Sequence, residues 1–564
     1  MLPAAEAREE IQTAGEGADA HPIACSSVEV LIGEAAHRQL MDSAFIEAWR
    51  DLYDACPWGT AGQRPEFVQT WCRVYREQEE PILLLERAGS KLTGCLPLTR
   101  PIGEDADGAP LRQAGYTDCE YQVWLATPDR ADAFFPRAVA CLEREIGPQT
   151  LDLGQLPPAM PRGWLSRDKL RFRCQLGQTE RRIVHVSDRD EVERYVRGKK
   201  RLRTTMNKLK RSGQVRVRRL REPDEILAFF PRFQAMFEFR KGAVYNVLPF
   251  RDSPLRRRFL EEQARVPGLL HVTVLERDGE LLAAHVGTAG KRELSVAGIV
   301  HSEFESHHSP GSLLLLELTR ILCEEGFKIL DMTPGGDAYK ARMSKIVEPV
   351  FELIVHRSIA HAMAVLGRRR LKAIGRAALQ RLPESVRARL SGLGFRSRSQ
   401  PLAEDAGRGA DVVSDVHFLY PLAHDEAAAE STIETTASWV HNDISALQAV
   451  VADRSGYLDL LKRAHAHVCV GGQLFCRYSG DSESVEAIAF VTPAAALNVP
   501  FPLPEGARLI VELDYLEDCP RALADWVREL SQVVGPTPES PVFVALRSAV
   551  AAECLPAAGS ACIA

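Results

Sequence analysis

The period of apolar and polar positions changes several times along the chain, and each change marks an element. From Phe45 to Tyr53 and from Ile226 to Phe239, apolar residues recur at three- and four-residue spacing, which predicts a helix in each place. Downstream of each lie two short apolar runs around a glycine-bearing turn, Leu85-Glu86-Arg87-Ala88-Gly89-Ser90-Lys91-Leu92 and Leu275-Glu276-Arg277-Asp278-Gly279-Glu280-Leu281-Leu282. That is the pattern of a β-hairpin. The match then returns. A helix ending at Ile146-Gly147 precedes Leu151-Asp152-Leu153, as Cys323-Glu324-Glu325-Gly326 precedes Leu330-Asp331-Met332. In both places a helix stopped by glycine leads to a short buried strand near an acid.

The same words in the same order make an internal repeat, with two α/β units over about 25–185 and 186–358. A third α/β region is expected over 413–564. It has a helix around Tyr457–Ala464, strand-like stretches at His467–Tyr478, Val485–Val491, Leu509–Leu513 and Val542–Leu546, and a helix at Arg521–Val534. Its helix start carries Glu517-Asp518-Cys519-Pro520, and acids there repel a pyrophosphate, so this copy is read as degenerate. Residues 359–412 break the pattern with a basic helix and linker. Arg368, Arg369, Arg370, Arg376, Arg381, Arg387 and Arg389 face the single acid Glu384, and the stretch 359–398 is a candidate for peripheral membrane contact or for packing on its own domain. Residues 1–24, acidic and rich in Ala and Gly, are expected to be disordered.

Composition narrows the class. At 564 residues the chain is too long for one core, and its net charge of −6 gives no global reason to expect DNA as partner. No signal peptide and no run of eighteen apolar residues is found, so a cytoplasmic protein is expected. The 13 cysteines are scattered without a CxxC pair, which favours buried thiols over a metal site, and no metal is expected.

Candidate chemistry concentrates in the second unit. Ser309-Pro310-Gly311-Ser312 opens an apolar helix, where backbone N–H groups and the helix dipole suit a phosphate; the alternative is a plain cap by Ser309 or Ser312. Beyond the Leu330–Met332 strand, Gly335-Gly336-Asp337-Ala338-Tyr339-Lys340 carries acid, phenol and amine. Asp331 and Asp337 are candidate bases, although Asp331 suits a turn cap and Asp337 an ion pair with Lys340. Lys340 and Arg342 suit an anionic acceptor. The helix Lys199–Arg211, with Arg203 among its cations, forms a local patch for phosphate-bearing ligands, a membrane surface, or solvent alone.

These residues carry a resemblance. Pro65-Glu66-Phe67-Val68 with Trp71, Gly94-Cys95-Leu96-Pro97-Leu98, Gly115, Asp118 and Tyr121 contribute in the first unit, and Lys199-Lys200-Arg201-Leu202-Arg203, Ser309-Pro310-Gly311 and Gly336-Asp337-Ala338-Tyr339-Lys340-Ala341-Arg342 in the second. Over about residues 40–358 the chain resembles GNAT-superfamily acetyltransferases of bacterial cellulose and exopolysaccharide clusters, relatives of the tandem Fem-type transferases. The resemblance implies an α/β (α+β) fold of tandem GNAT-like domains, each a mixed, mostly antiparallel sheet flanked by helices.

It further implies acetyl-CoA as acyl donor, a sugar or amine acceptor, and polysaccharide-synthesis proteins as candidate partners. Tyr339 takes the place of the general acid for the departing thiolate. The strand Leu281–Thr288, with Val286 and Gly287, runs beside the thioester, and His285 is a candidate base on it. Ser309, Gly311 and Ser312 approach the CoA pyrophosphate, where His307-His308-Ser309-Pro310-Gly311-Ser312 replaces the usual loop. An aminoacyl-tRNA donor, as in Fem-type relatives, and a non-catalytic scaffold subunit are the alternatives.

Overall fold

The computed structural model describes residues 28–103, 108–296, 298–368, 418–421, 439–441, 443–450, 454–469, 471–478, 485–493, 509–515 and 542–546. The segment 1–24, most of the basic stretch and linker (369–412), the acidic Glu517–Pro520 turn and the helix expected at Arg521–Val534 lie outside these residues.

Both predicted hairpins form. β1 (Val28–Ile32), β2 (Glu79–Ala88), β3 (Lys91–Pro101), β4 (Arg112–Gln113) and β5 (Leu125–Ala126) make the first sheet, in which β2 and β3 are joined through Gly89. β6 (Leu151–Leu156) and β7 (Cys174–His185) follow. In the second unit β8 (Val215–Leu220), β9 (Leu270–Arg277), β10 (Glu280–Thr288), the short β11 (Glu293–Ser295), β12 (Gly298–His301), β13 (Ile329–Pro334) and β14 (Ile346–Val355) alternate with helices. The β9–β10 turn holds Asp278 at φ 53° and Gly279 at φ 87°. Two successive left-handed residues are what a tight two-residue hairpin turn requires, and Asp-Gly supplies them at little cost.

The strands sort into sheets in a way the repeat does not announce. β12-β10-β9-β8 form a four-stranded sheet, whereas β11-β13-β7-β14-β6 form a five-stranded one. That second sheet mixes strands of both units. β7, at whose end the repeat boundary falls, is its central strand, paired antiparallel with β13 on one side and β14 on the other.

Helices cover both faces of the four-stranded sheet. On one face Phe229, Phe230, Phe233 and Met236 of the helix Pro223–Tyr245 pack on Val272, Val274, Ala284 and Val286. On the other lies the helix Pro310–Glu324. Its Leu313 and Leu314 meet Leu275 and Leu282, while Leu315, Leu316, Leu318 and Leu322 meet Val184, Leu330 and Met332 of the shared sheet. One apolar helix thus ties the two sheets together. Burying each leucine is worth about 1.5–3 kcal/mol.

The third region is a six-stranded sheet that includes β15 (Phe418–Pro421), β16 (Trp439–His441), β17 (Gln473–Tyr478), β18 (Val485–Pro493), β19 (Leu509–Tyr515) and β20 (Val542–Leu546), in the order β15-β20-β19-β18-β17-β16. Its helix runs over Arg454–Cys469, so the residues from His467 to Cys469 are helical rather than extended. This helix grips the back of Pro223–Tyr245. A Cβ on Gly242 would lie 2.5 Å from Leu461, and Arg454 pairs with Asp252 at 2.6 Å.

Candidate active site

The segment 293–301 belongs to two sheets in succession. β11 pairs parallel with β13, from Glu293↔Ile329 to Ser295↔Asp331, and β12 then pairs antiparallel with β10. The last pairing contact to the shared sheet is Val296 N–H on the Asp331 carbonyl, 2.8 Å. Beyond it the sheets part. The free edge of β12 and the free edge of β13 at Met332–Pro334 face one another across the gap with no strand between them. The first unit is closed at the corresponding place, where the bridges Leu111↔Leu151 and Tyr121↔Gln155 tie its sheet region to β6.

A cleft of about 270 Å³ opens at this split. Its walls are Val296, Ile299, Val300 and His301 on one side, Thr333, Asp337, Tyr339 and Lys340 on the other, and Met236, Phe237, Arg240, Lys241 and Tyr245 of the helix Pro223–Tyr245. The polar loop beyond β13 therefore does reach a cavity. Gly298 lets the strand turn in: a Cβ there would sit 2.5 Å from the Val286 carbonyl oxygen.

Tyr339 is half-buried in the cleft, and its hydroxyl has no hydrogen-bond partner among the described residues. Burial first, then the neighbouring Asp337 charge, push its pKa up to about 12. The phenol is held protonated and available as a donor. Asp337 is exposed at the same rim, 3.4 Å from the Lys340 ammonium.

Asp331 is not available as a base. It is fully buried; one carboxylate oxygen accepts from Tyr121 Oη (2.5 Å) and Arg181 Nη1 (2.7 Å), and the other accepts from Thr333 N–H (2.8 Å). Arg181 in turn pairs with Glu348 at 2.8 Å and Glu293 at 3.2 Å. Burial pushes Glu293 up to about 7 against the pull of Arg181, with the Asp331 charge adding to the rise. This cluster joins Tyr121 of the first unit to the strand that forms the cleft wall. It also holds Thr333 at φ 59°, a strained position for a β-branched residue.

His285 is likewise removed from the chemistry. It is fully buried, with Nε2 3.1 Å from the Ser295 carbonyl, and burial with the nearby His271 pushes its pKa down to about 3. The neutral ring donates to a backbone carbonyl and ties β10 to β11. Val286 is paired on both edges, with Val272 of β9 and Gly298 of β12, and Gly287 is paired with His271 of β9. The outer edge of this sheet belongs to β12.

Two expected acceptor ligands are also occupied by the protein itself. Lys340 is buried and donates to the Thr333 and Pro334 carbonyls at 3.2 and 2.8 Å, which holds the loop closed on itself. Lys199 donates to the Arg342 and Met343 carbonyls at 2.6 and 2.8 Å, capping the end of the helix Ala338–Met343. Arg342 is exposed on that short helix, and Arg203 is exposed on the helix Lys200–Arg211.

At the start of Pro310–Glu324 the structure refines the expected anion site. Ser309 takes a left-handed conformation (φ 52°), and its carbonyl already accepts from Ser312 and Leu313 N–H. Pro310 has no N–H, so only Gly311 keeps a first-turn amide without an acceptor among the described residues. Neither Ser309 nor Ser312 caps the helix through its side chain. The basic helix lies alongside, with Met206 and Leu209 packed on Leu313 and Leu314. Lys208 comes close enough to add to the burial that lowers the His308 pKa. Lys200, Arg201, Arg203, Lys208, Lys210 and Arg211 are exposed and have no ion pair among the described residues.

Sequence reasoning missed His301, Arg240 and Lys241. His301 Nε2 lies 3.1 Å from Arg240 Nη1, and burial lowers its pKa, so the ring is neutral and accepts from the guanidinium. Lys241 has no carboxylate ion-pair partner among the described residues; its ammonium lies 5.9 Å from the Phe237 ring centroid and 5.0 Å from that of Tyr245. The signal was present, since Phe237, Lys241 and Tyr245 stand four residues apart and share a helix face.

Residues 196–341 match the acetyltransferase (GNAT) domain family. The match lies within the second unit and takes in every residue that lines the split described above. No curated protein matches the chain. Among solved structures, the chain is similar to the C-terminal domain of a putative lysylphosphatidylglycerol synthetase from Agrobacterium fabrum. Identity there is 11% and TM-score 0.38, over 57% of this chain and 94% of that one. It is similar to FemX at 9% identity and TM-score 0.39, over 54% and 95%. A tandem GNAT protein from the clavulanic acid biosynthesis pathway is similar at 14% identity and TM-score 0.35, over 59% and 99%. No described helix is long and apolar enough to cross a membrane.

Proposed function

We propose that the chain transfers an acyl group from acyl-CoA, acetyl-CoA first among them, to an amine or hydroxyl of an acceptor that carries a negative charge, such as a sugar or polysaccharide precursor. The observation that carries this reading is the pair of unpaired strand edges, β12 and β13, facing each other within the matched domain. An amide-bearing chain such as pantetheine can lie between them as a strand does, with the Gly311 amide, His308 and the unpaired cations of Lys200–Arg211 receiving its phosphates.

In this arrangement the acceptor enters from the side of Pro223–Tyr245 and attacks the thioester carbonyl. Outward backbone N–H groups of β12 polarise that carbonyl. The new N–C or O–C bond forms as C–S breaks, Tyr339 gives its proton to the sulfur, and Asp337 at the rim takes the proton from the acceptor. Lys241 and Arg240 face the acceptor's negative group, and the exposed Tyr245 ring offers a surface for a sugar face.

Two outcomes test this. Gly311→Trp is expected to weaken acetyl-CoA binding at least about tenfold in calorimetric titration, ~1.4 kcal/mol. The Cβ alone already meets His301 at 3.2 Å, and unchanged affinity would place the donor elsewhere. Lys241→Met is expected to raise KM for the acceptor about tenfold with kcat nearly kept, since it removes binding energy shared by ground and transition states. An unchanged KM would remove the charge preference.

A tRNA-borne aminoacyl donor is the second reading. It is favoured by the six unpaired cations of Lys200–Arg211, more than a single CoA needs. Donor binding that falls steeply with salt and is competed by tRNA would decide for it.

A further inference from the structure

The chain leaves the shared sheet at β14 and enters a helix that presents a bare apolar stripe. Ser358 starts it, with its hydroxyl accepting from His361 N–H at 3.1 Å and its carbonyl from Ala362 N–H at 3.0 Å; residues 359–368 are helical. Ala362 is buried on the protein side. Ile359, Met363 and Leu366, four and three residues apart and hence on one face, are 54%, 65% and 40% exposed.

Charge decides what can cover this stripe. From Leu353 to Pro383 the sequence holds no Asp or Glu, while it holds Arg357, Arg368, Arg369, Arg370, Lys372, Arg376 and Arg381. The following segment is itself basic, so folding back over the stripe brings cation against cation. A second copy docking face to face meets the same repulsion. An occupant with an apolar interior and a negative surface satisfies both the aliphatic stripe and the guanidinium groups.

We propose that this helix lies on an anionic lipid bilayer, with Ile359, Met363 and Leu366 inserted among the acyl chains and the exposed Arg357 and Arg368 on lipid phosphates. Ile, Met and Leu have no polar atom to satisfy on a protein partner, and alanines at 360 and 364 let the helix rest flat. The surface is independent of the acyltransfer reading, because it lies at the far end of β14 from the cleft.

Co-sedimentation of the full chain with vesicles tests it. Binding to phosphatidylcholine mixed with phosphatidylglycerol is expected to exceed binding to phosphatidylcholine alone by about tenfold, and to fall as salt rises. Joint replacement Ile359→Asp, Met363→Asp and Leu366→Asp, and separately Arg357→Glu with Arg368→Glu, should each remove most of that excess. Because the three apolar sites are exposed, the thermal transition and acetyl-CoA affinity should stay as in the unmodified chain. Equal binding to both vesicle types, or binding that survives the three aspartates, overturns the proposal. So does a dimer on gel filtration that the aspartates dissociate, which would give the face to a second copy.

Discussion

Asp331→Ala is expected to lower the stability of the paired first and second units by about 3–5 kcal/mol, the scale on which a buried pair costs when one partner is removed. The variant strips the Arg181 guanidinium of its shortest contact and leaves Tyr121 Oη and Thr333 N–H without their acceptor. Two carboxylates would remain around Arg181, so the positive charge stays partly compensated while the neutral donors do not. The measurement is the urea midpoint of the transition that includes both units, read beside Asp331→Asn, which keeps the volume and one acceptor. If the midpoint does not move for alanine, the cluster is not what joins Tyr121 to β13. A stability loss with a normal transfer rate in the surviving folded fraction would also show that Asp331 is not a base.

Tyr339→Phe is expected to slow acyl transfer by about 10²-fold or more, within the range that a positioned general acid supplies. Acetyl-CoA affinity should remain near that of the unmodified chain, because the phenol makes no hydrogen bond that the loop depends on. Burial holds the Tyr339 pKa up at about 12, so the hydroxyl stays protonated across the neutral range. Its own titration should therefore not appear as a limb of the rate profile below that region. Initial rates at saturating acetyl-CoA, with binding measured separately, check both halves. A normal rate would remove Tyr339 from the mechanism and leave solvent as the proton source.

Much of the fold was legible because it depends on local rules. The Asp278-Gly279 turn needs two left-handed residues and has them, and Gly147 and Gly326 end their helices before buried strands. The apolar run after Pro310 is long enough to be a helix and too apolar to face water. What the sequence did not show was pairing at a distance. Nothing in β7 says that it will sit between β13 and β14, since its alternation serves either a first-unit edge or a shared centre equally well.

The site divides in the same way. Tyr339 and Asp337 stand at the cleft because they follow β13 by a few residues, and short range made them readable. Asp331, His285, Lys340 and Lys199 were misleading because a titratable side chain reads the same in sequence whether it faces substrate or a carbonyl. Only the folded partners distinguish the two, such as the carbonyls that Lys340 and Lys199 hold. For Val286 the missing information was strand order: the hairpin was correct, but β12 lies outside it at the edge.

The shared sheet sets the smallest piece of this chain that can be inherited or moved as a whole. The stretch matched to the acetyltransferase family, 196–341, stops before β14 and begins after β7. Cut out by those limits, β13 would lose its inner neighbour and present an open, apolar edge through Leu330 and Met332, ready to pair with any strand that meets it. The unit that carries the cleft therefore depends on the first unit for the pairing of β13.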